Sequence, residues 1–200
     1  MTTAILQTTY FGPVQWYQKL KRFDHCLIEQ YDSYQKQTYR NRCVIATTNG
    51  LQALTVPVEH TDEKALMKDL RISDHNQWRR IHWNALMSAY SESPFFEYYA
   101  DDIRPFYEQK YEYLIDFNEA IRQRVCELID IHPKVVYSSE FKTVHSSDFR
   151  EVIHAKHPLP DPDFTPKPYW QVFQHKHGFQ PNLSILDLLF NMGPESVFYL

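Results

Sequence analysis

The first part of the chain alternates short apolar runs with one amphipathic segment. Residues 4–9 form an apolar-to-polar run that indicates a strand, and Pro13 stands where a helix would begin. Apolar side chains recur at helical spacing over residues 14–20, and residues 26–29 give a second short strand. Two strands joined by a helix of this length predict a parallel βαβ unit.

The clearest local signal is a hairpin. Residues 42–47 and 51–56 are rich in β-branched and apolar side chains, and Asn49 and Gly50 lie between them. An Asn-Gly pair between two such runs is typical of a tight β-turn, because both residues tolerate positive φ. The pattern predicts an antiparallel ribbon that joins the parallel strands in one mixed sheet.

Helical periodicity dominates the middle of the chain. One apolar face covers residues 78–89, with Ser73 or Asp74 placed to cap the helix. Two further helical stretches cover residues 95–109 and 114–129. The middle of the chain is therefore predicted to be a helical section.

The C-terminal third begins with a short strand at residues 135–137. A proline-rich run, residues 157–168, predicts an extended surface loop, because proline lacks the N–H that regular structure needs. Ser184 and Asp187 have the spacing of a capping box at the start of a last helix, which Gly193 closes.

The composition indicates one globular unit. The chain has 200 residues, of which 43% are hydrophobic, 16% aromatic and 23% charged, so it can close a single core and is too apolar to be disordered. We predict a mixed α/β fold in which residues 1–200 form a single domain. An N-terminal βαβ unit and an antiparallel hairpin form a mixed sheet, followed by a helical middle section and a C-terminal helix packed on the sheet.

Charge and cysteine usage exclude several classes of function. The net charge of −4 disfavours nucleic-acid binding, and three cysteines without a CxxC pair predict reduced thiols. Neither a basic and apolar leader nor a run of about 18 apolar residues occurs, so we expect a cytoplasmic protein with no membrane partner. The glycines are isolated and form neither GxGxxG nor GxxxxGK[ST], so the sequence identifies no cofactor. It does not indicate an oligomeric state either.

A basic cluster before the hairpin is the most informative group of polar residues. Extended-chain alternation would place Arg40 and Arg42 on one face, with Lys36 nearby, to hold a phosphate or carboxylate by paired hydrogen bonds. The same charges also suit a solvated edge strand. Gln7 ends the first strand, where open α/β sheets commonly bind ligands, although a turn amide is the alternative.

His82 and three residues on later helices are the other candidates. His82 lies on the apolar face of its helix and is either a half-buried general base or a core histidine with internal partners. Asp187 and Asn191 are four residues apart on one helix face and suit ligand hydroxyls, although helix capping also explains Asp187. Asn118 is an amide inside a strong helix and suits a neighbouring loop or a ligand.

Two weak patterns resemble metal sites. Four histidines flank the proline-rich run: His154, His157, His175 and His177. They supply enough imidazoles for zinc or iron but lack a carboxylate partner at motif spacing, so we predict no metal site. Asp161 and Asp163 spell the DxD of many glycosyltransferases, but in a proline-rich run this spacing is more typical of a turn.

Several blocks together resemble the WbqC-like proteins. In chain order they are LQTTYFGPVQWYQKL, YQKQTYRNR, ALTVPV, WRRIHW, SPFFEYY, LIDFNEAI, YWQVF and NLSILDLLFNMGP. The resemblance implies a bacterial cytoplasmic protein whose family is named for a gene of O-antigen polysaccharide clusters. Thr8 follows Gln7 in this chain, whereas many relatives have proline directly after the glutamine. The resemblance carries motif positions onto Gln7, Lys36, Asn41, Arg42, His82, Asn118, Ser184, Asp187 and Asn191.

Two functions are consistent with this resemblance. One is an enzyme of surface-polysaccharide precursor synthesis that acts on a nucleotide-linked or amino sugar, with transfer of an acyl or aminoacyl group. There Lys36 and Arg42 bind phosphate, and Asn41 and Gln7 orient the small anionic or sugar ligand. His82 removes a proton, and Asp187 with Asn191 contacts hydroxyls. The alternative is a non-catalytic ligand-binding or scaffold protein beside glycosyltransferases, with Tyr169, Trp170 and Phe173 forming a contact surface.

Overall fold

Three parallel strands and a separate hairpin form the β-structure, in a computed structural model that describes residues 2–59, 65–143 and 147–200. The strands are β1 (Thr3–Gln7), β2 (His25–Glu29), β3 (Arg42–Thr47), β4 (Gly50–Thr55) and β5 (Val135–Tyr137). The helices are α1 (Val14–Arg22), α2 (Trp78–Tyr90), α3 (Phe96–Ile103), α4 (Pro105–Glu108), α5 (Leu114–Leu128), α6 (Gln174–His177) and α7 (Ile185–Met192). The predicted mixed α/β class is confirmed.

The parallel sheet has the strand order β1-β2-β5 and confirms the N-terminal βαβ unit. Its register pairs Gln7, the last residue of β1, with Glu29, the last residue of β2. Both of these polar residues are only 1% exposed, although they end apolar strands. The carboxyl ends of the first two strands therefore bring two buried polar side chains to the same edge of the sheet.

The hairpin pairs Arg42 with Thr55 at its open end and turns at Gly50, whose φ of 106° requires glycine. The prediction that it joins the parallel strands is wrong within the residues that the structure describes, where it forms a two-stranded sheet of its own. Its buried face packs on helices, and the carbonyl of Val44 accepts from the N–H of Ser184 at 2.9 Å. The C-terminal segment therefore occupies the edge of β3 at which one of the parallel strands would have to pair.

The middle helices differ from prediction at two boundaries. Neither Ser73 nor Asp74 caps α2, which follows Gln77 in a left-handed conformation with φ of 50°. Asp74 forms ion pairs with Arg79 and Lys110 instead. The predicted helix over residues 95–109 is divided into α3 and α4, because proline at position 105 has no N–H to continue the hydrogen-bond ladder.

The C-terminal helix α7 is buried along nearly its whole length between α1, α3 and the hairpin. Ser184 caps it as predicted, with its Oγ accepting from the N–H of Leu186, and Gly193 ends it with φ of 54°. The capping box is otherwise wrong, because the Asp187 carboxylate hydrogen-bonds to Tyr90 and Tyr169. No helix among residues 2–59, 65–143 and 147–200 is long and apolar enough to cross a membrane.

Candidate functional site

Arg40 is a charged side chain enclosed in the protein. It is 1% exposed, and its Nη2 forms an ion pair with the carboxylate of Asp32. Its Nε and Nη1 are also buried, and nothing in residues 2–59, 65–143 and 147–200 accepts a hydrogen bond from either nitrogen. An unsatisfied buried donor costs about 1–3 kcal/mol, and more when it is charged. Arg40 therefore presents two donors that an external acceptor would satisfy.

A turn before β3 directs Arg40 inward. Residues 39 and 40 form this turn, so the predicted extended alternation of Arg40 and Arg42 on one face is wrong. The turn is held by two hydrogen bonds, from the backbone N–H of Tyr10 to the carbonyl of Tyr39 at 2.9 Å and from Asn118 Nδ2 to the carbonyl of Arg40 at 2.8 Å. Arg42 instead begins the hairpin, where its Nε donates to the Thr55 hydroxyl at 3.1 Å.

Gln7, Asn41 and Asn118 share one arrangement, which Asn191 on α7 also has. Gln7 Nε2 donates to the carbonyl of Ile153 at 2.6 Å, and the amide nitrogens of Asn41 and Asn118 donate to backbone carbonyls at 2.8 Å. Because each nitrogen is fixed on a carbonyl, the orientation of each amide is defined. The three amide oxygens are buried and accept no hydrogen bond from any residue in the described ranges. They are suited to receive donors such as hydroxyl groups.

Residues 148–154 begin at the free edge of β1, where Asp148 pairs with Ile5, and reach the carboxyl end of that strand at Ile153. The N–H of Phe149 donates to the carbonyl of Ile5 at 2.9 Å, and Ile153 receives the Gln7 amide. Burial lowers the pKa of Arg40 overall, although the neighbouring Asp32 carboxylate opposes this effect, and the charges of Glu151 and Arg150 also act on it. The Arg40 guanidinium and the Gln7 amide therefore both lie beside residues 148–154.

Glu29 and Arg150 are two further charged residues in the surroundings of Arg40. Neither was predicted from the sequence as a site residue. The buried Glu29 carboxylate accepts from the N–H of Tyr31, the Ser138 hydroxyl and the N–H of Lys142, each at 2.7 Å. Arg150 Nη1 is 3.9 Å from Glu29 Oε2. The available signal was position, because Glu29 ends an apolar strand in the same way as Gln7. We name the group around Arg40, Gln7, Asn41 and Asn118 the Arg40 site.

Lys36 lies in the same loop but is exposed, so it stands apart from the buried polar groups of the Arg40 site. Lys36 forms no hydrogen bond or ion pair with any residue in the described ranges. A long cationic side chain of this kind contributes to the electrostatic field around a site more than to its enclosed geometry. Its predicted role in binding phosphate stays a prediction.

His82 is 4% exposed inside an aromatic cluster. Its Nδ1 is 2.9 Å from the Tyr10 hydroxyl, which is itself 2.9 Å from the Tyr107 hydroxyl, and the ring also hydrogen-bonds to the backbone of Thr55. With the ring N–H donating to that backbone, Nδ1 accepts from Tyr10, and the Tyr10 oxygen accepts from Tyr107. Through the backbone bond from Tyr10 to Tyr39, the imidazole supports the turn that positions the Arg40 site.

The burial of His82 predicts a pH-dependent stability. Burial lowers the pKa of His82 to about 4 from 6.5, although the Thr55 contact opposes the shift. Between these values the unfolded chain binds a proton that the folded chain does not, so lowering the pH from 6.5 to 4 should remove about 3 kcal/mol of stability through this group. Urea unfolding of the wild type and of His82→Gln across this range should show the difference.

The comparison has a matched control in His175→Gln, because the His175 side chain is exposed. This variant should change the free energy of unfolding by less than about 0.5 kcal/mol. The difference in the free energy of unfolding between the wild type and His82→Gln should instead become smaller as the pH falls. Parallel profiles for the wild type and His82→Gln would contradict a buried, uncharged imidazole.

Asp187 and Asn191 lie together on α7, in an internal network away from the turn that carries Arg40. Asp187 accepts from the hydroxyls of Tyr90 and Tyr169 at 2.9 and 2.7 Å and from Gln171 Nε2 at 2.8 Å. Burial raises the pKa of Asp187, and these donors oppose the rise. Asn191 Nδ2 donates to the carbonyl of Asp187 at 2.8 Å, so this pair links helix α7 to α2 and to the segment around Tyr169.

The predicted aromatic contact surface is not continuous. Tyr169 is 7% exposed, because its hydroxyl is held by Asp187, whereas Trp170 is 40% exposed and Phe173 is half-buried. Only one of the three rings offers a large exposed surface.

Potential metal ligands are engaged by other groups. The described residues contain no cluster of three His, Cys, Asp or Glu side chains that would hold a metal ion. His154 Nδ1 accepts from two backbone N–H groups, at 3.0 and 3.1 Å, and His177 Nε2 is 3.1 Å from the carbonyl of Thr48. The Asp161 carboxylate is bound to Lys19 at 2.6 Å and to Gln15 Nε2 at 2.8 Å.

Comparisons with known proteins place this chain in a family of similar sequences. The sequence profile of the WbqC-like protein family matches residues 7–158 and 162–199. A protein of Mycobacterium tuberculosis (strain H37Rv), named Uncharacterized protein Rv1507c, is 28% identical over 222 residues, covering 98% of this chain and 96% of that protein. No solved structure is significantly similar. The family match spans nearly the whole sequence, and the chain belongs to the WbqC-like protein family.

Proposed function

We propose that this protein binds a small anionic sugar derivative, such as a phosphorylated, nucleotide-linked or amino sugar, in the Arg40 site. The observation that carries the proposal is the Arg40 guanidinium, enclosed with two donor nitrogens that no described residue satisfies. Buried polar groups in folded proteins nearly always have partners, so such an exception requires an explanation. A bound phosphate or carboxylate supplies the missing acceptors in the forked geometry that arginine favours.

The neighbouring amides indicate the rest of the ligand. Oxygens of Gln7, Asn41 and Asn118 accept hydrogen bonds but cannot donate them, so their partners must carry hydroxyl or amino groups. A ligand that satisfies the whole group therefore combines an anion with several donors. Sugar phosphates have this combination, whereas a simple dicarboxylate lacks the donors. Because the family is named for a gene of O-antigen clusters, a role in cytoplasmic synthesis of surface-polysaccharide precursors is part of the proposal.

Replacing Arg40 with methionine should abolish binding of glucose 1-phosphate. For the wild type at a ligand concentration near 100 times Kd, binding stabilises the folded state by about 2.7 kcal/mol, which raises Tm by roughly 5–10 °C for a chain of this size. The Arg40→Met variant should show no such rise. A thermal-shift titration measures both. Because Asp32 is 16% exposed, it can be hydrated when its partner is removed, and the variant should fold.

The matched control is Arg42→Met, which removes a guanidinium two residues away that donates to Thr55. This variant should retain the shift. If Arg40→Met fails to give a cooperative transition, Arg40→Lys keeps the charge beside Asp32 and should bind at least tenfold more weakly, because lysine lacks the fork. Equal shifts in the wild type and Arg40→Met, or no shift with any sugar phosphate, would contradict the proposal.

The reaction is a separate part of the proposal. Transfer of an acyl or aminoacyl group to the bound sugar would make the protein an enzyme, whereas a non-catalytic binding protein would bind the same ligand without consuming it. Here His82 supports the turn of the Arg40 site through Tyr10, and its predicted part in removing a proton stays a prediction. Incubation of the bound sugar with acyl or aminoacyl donors, analysed by mass spectrometry, separates the two functions.

A further inference from the structure

A cavity of about 370 Å³ lies between the first turns of α2 and helix α4. This volume is within the range of pockets that bind small molecules. Three residues of its lining are arginines, and one is a tryptophan. The cavity is lined by Gln77, Arg79, Arg80, Trp83, Arg104, Tyr107 and Glu108. None of them contributes to the Arg40 site as it is defined above.

The charges of this cavity are predominantly positive. Glu108 is the one carboxylate of the lining, and it is already paired with Arg104 Nε at 2.6 Å. Arg79 pairs with Asp74 outside the lining, but its Nε is buried and has no partner among the residues described. Arg80 is exposed and forms no hydrogen bond or ion pair within the described part of the chain. An excess of guanidinium groups in a chain of net charge −4 favours an anion at this position.

Aromatic rings form another wall of the cavity. Trp83 is half-buried, and its ring packs on Tyr107 with centroids 5.8 Å apart and on Phe96 with centroids 6.0 Å apart. These contacts fix the indole and leave part of it facing the cavity that it lines. A fixed indole is a stacking surface for a flat ring, and such stacking is tolerant of the type of base.

We infer that this cavity binds a phosphate group joined to a flat heteroaromatic ring, the chemistry of a nucleoside diphosphate. Arg80 and Arg79 hold the phosphates, and Trp83 contacts the ring. The floor of the cavity, Tyr107, is joined through the Tyr10 hydroxyl to His82, so the site has a rigid support. The inference does not depend on the proposed function, because it uses different side chains.

The test is isothermal titration with UDP, uridine and inorganic pyrophosphate. UDP should bind the wild type more tightly than either fragment, and Arg80→Ala should weaken UDP binding at least about tenfold by removing charge-assisted hydrogen bonds. Trp83→Phe should weaken UDP binding about fivefold and leave pyrophosphate unchanged, because only the ring loses contact area. Arg80→Ala should fold normally, since the side chain is exposed and without partners in the described residues.

Two controls separate this site from its surroundings. Arg71→Ala removes an exposed arginine that pairs with Glu112 and lies outside the cavity lining, so UDP affinity should not change. Arg40→Met should likewise retain UDP binding, which distinguishes failure of this inference from failure of the Arg40 site. Absence of UDP binding, or equal affinity in the wild type and Arg80→Ala, would overturn the inference. Equal affinity for pyrophosphate and UDP would overturn the role of the ring.

Discussion

Asp187→Ala is expected to lower the free energy of unfolding by about 3–5 kcal/mol, because three buried donors lose their acceptor together. These donors are the hydroxyls of Tyr90 and Tyr169 and the amide of Gln171, and each lies within 2.9 Å of the carboxylate. No water-exposed position is available to them, since all three residues are at most 7% exposed. Urea unfolding followed by circular dichroism measures the change.

The control is Asp101→Ala, because Asp101 also lies in a helix but is exposed. This variant should change the free energy of unfolding by less than about 0.5 kcal/mol. Asp187→Asn retains one acceptor oxygen in the same place and should lose less than the alanine variant. A loss below about 1 kcal/mol for Asp187→Ala would contradict a structural network and would favour the earlier prediction that Asp187 contacts a ligand.

Asp161→Ala should cost about 3–5 kcal/mol, because it leaves Lys19 buried without a counter-charge. The Lys19 side chain is 0% exposed and is fixed on α1, with its Nζ also 4.7 Å from the centre of the Phe149 ring. Lys19→Met should cost less, since Asp161 lies in the proline-rich run and can be hydrated if that run moves outward. Unfolding of the two single variants and the double variant gives the coupling energy between the charges.

A second ion pair between the same segments provides the matched comparison. Arg22 and Asp163 are 3.0 Å apart, but their side chains are 48% and 54% exposed. Asp163→Ala should therefore cost less than about 1 kcal/mol. Burial raises the pKa of Asp161, but its bonds with Lys19 and Gln15 outweigh this effect and lower it overall, so its stabilising contribution should be lost only in strong acid. Equal losses for Asp161→Ala and Asp163→Ala would contradict the difference in burial.

Local sequence patterns predicted the secondary structure well. Alternation, proline and glycine placement and helical spacing identified the βαβ unit, the hairpin, α2, α5 and α7, because each depends on residues close in sequence. The separate position of the hairpin was not predictable in this way. It depends on the bond between Val44 and Ser184, which are distant in sequence and share no local pattern.

The candidate site was predicted only in part. Gln7, Arg40, Asn41 and Asn118 were all among the predicted binding residues, and each has a buried polar atom lacking a partner among the described residues. The grouping of Arg40 with Arg42 was wrong, since a turn precedes β3 where the pattern suggested extended chain. Arg40 is buried and Lys36 is exposed, although both are basic residues of one loop. Their spacing in the sequence does not reveal this difference.

Two-dimensional NMR of the Arg40 Nε–H group, titrated with glucose 1-phosphate, tests the Arg40 site most directly. The resonance is assigned by its loss in Arg40→Lys. Because Nε has no internal acceptor in the part of the chain that the structure describes, its resonance should shift in a saturable way as the phosphate binds, while that of Arg42 stays unchanged. An Arg40 resonance that does not move at saturating concentrations of sugar phosphates would contradict the site.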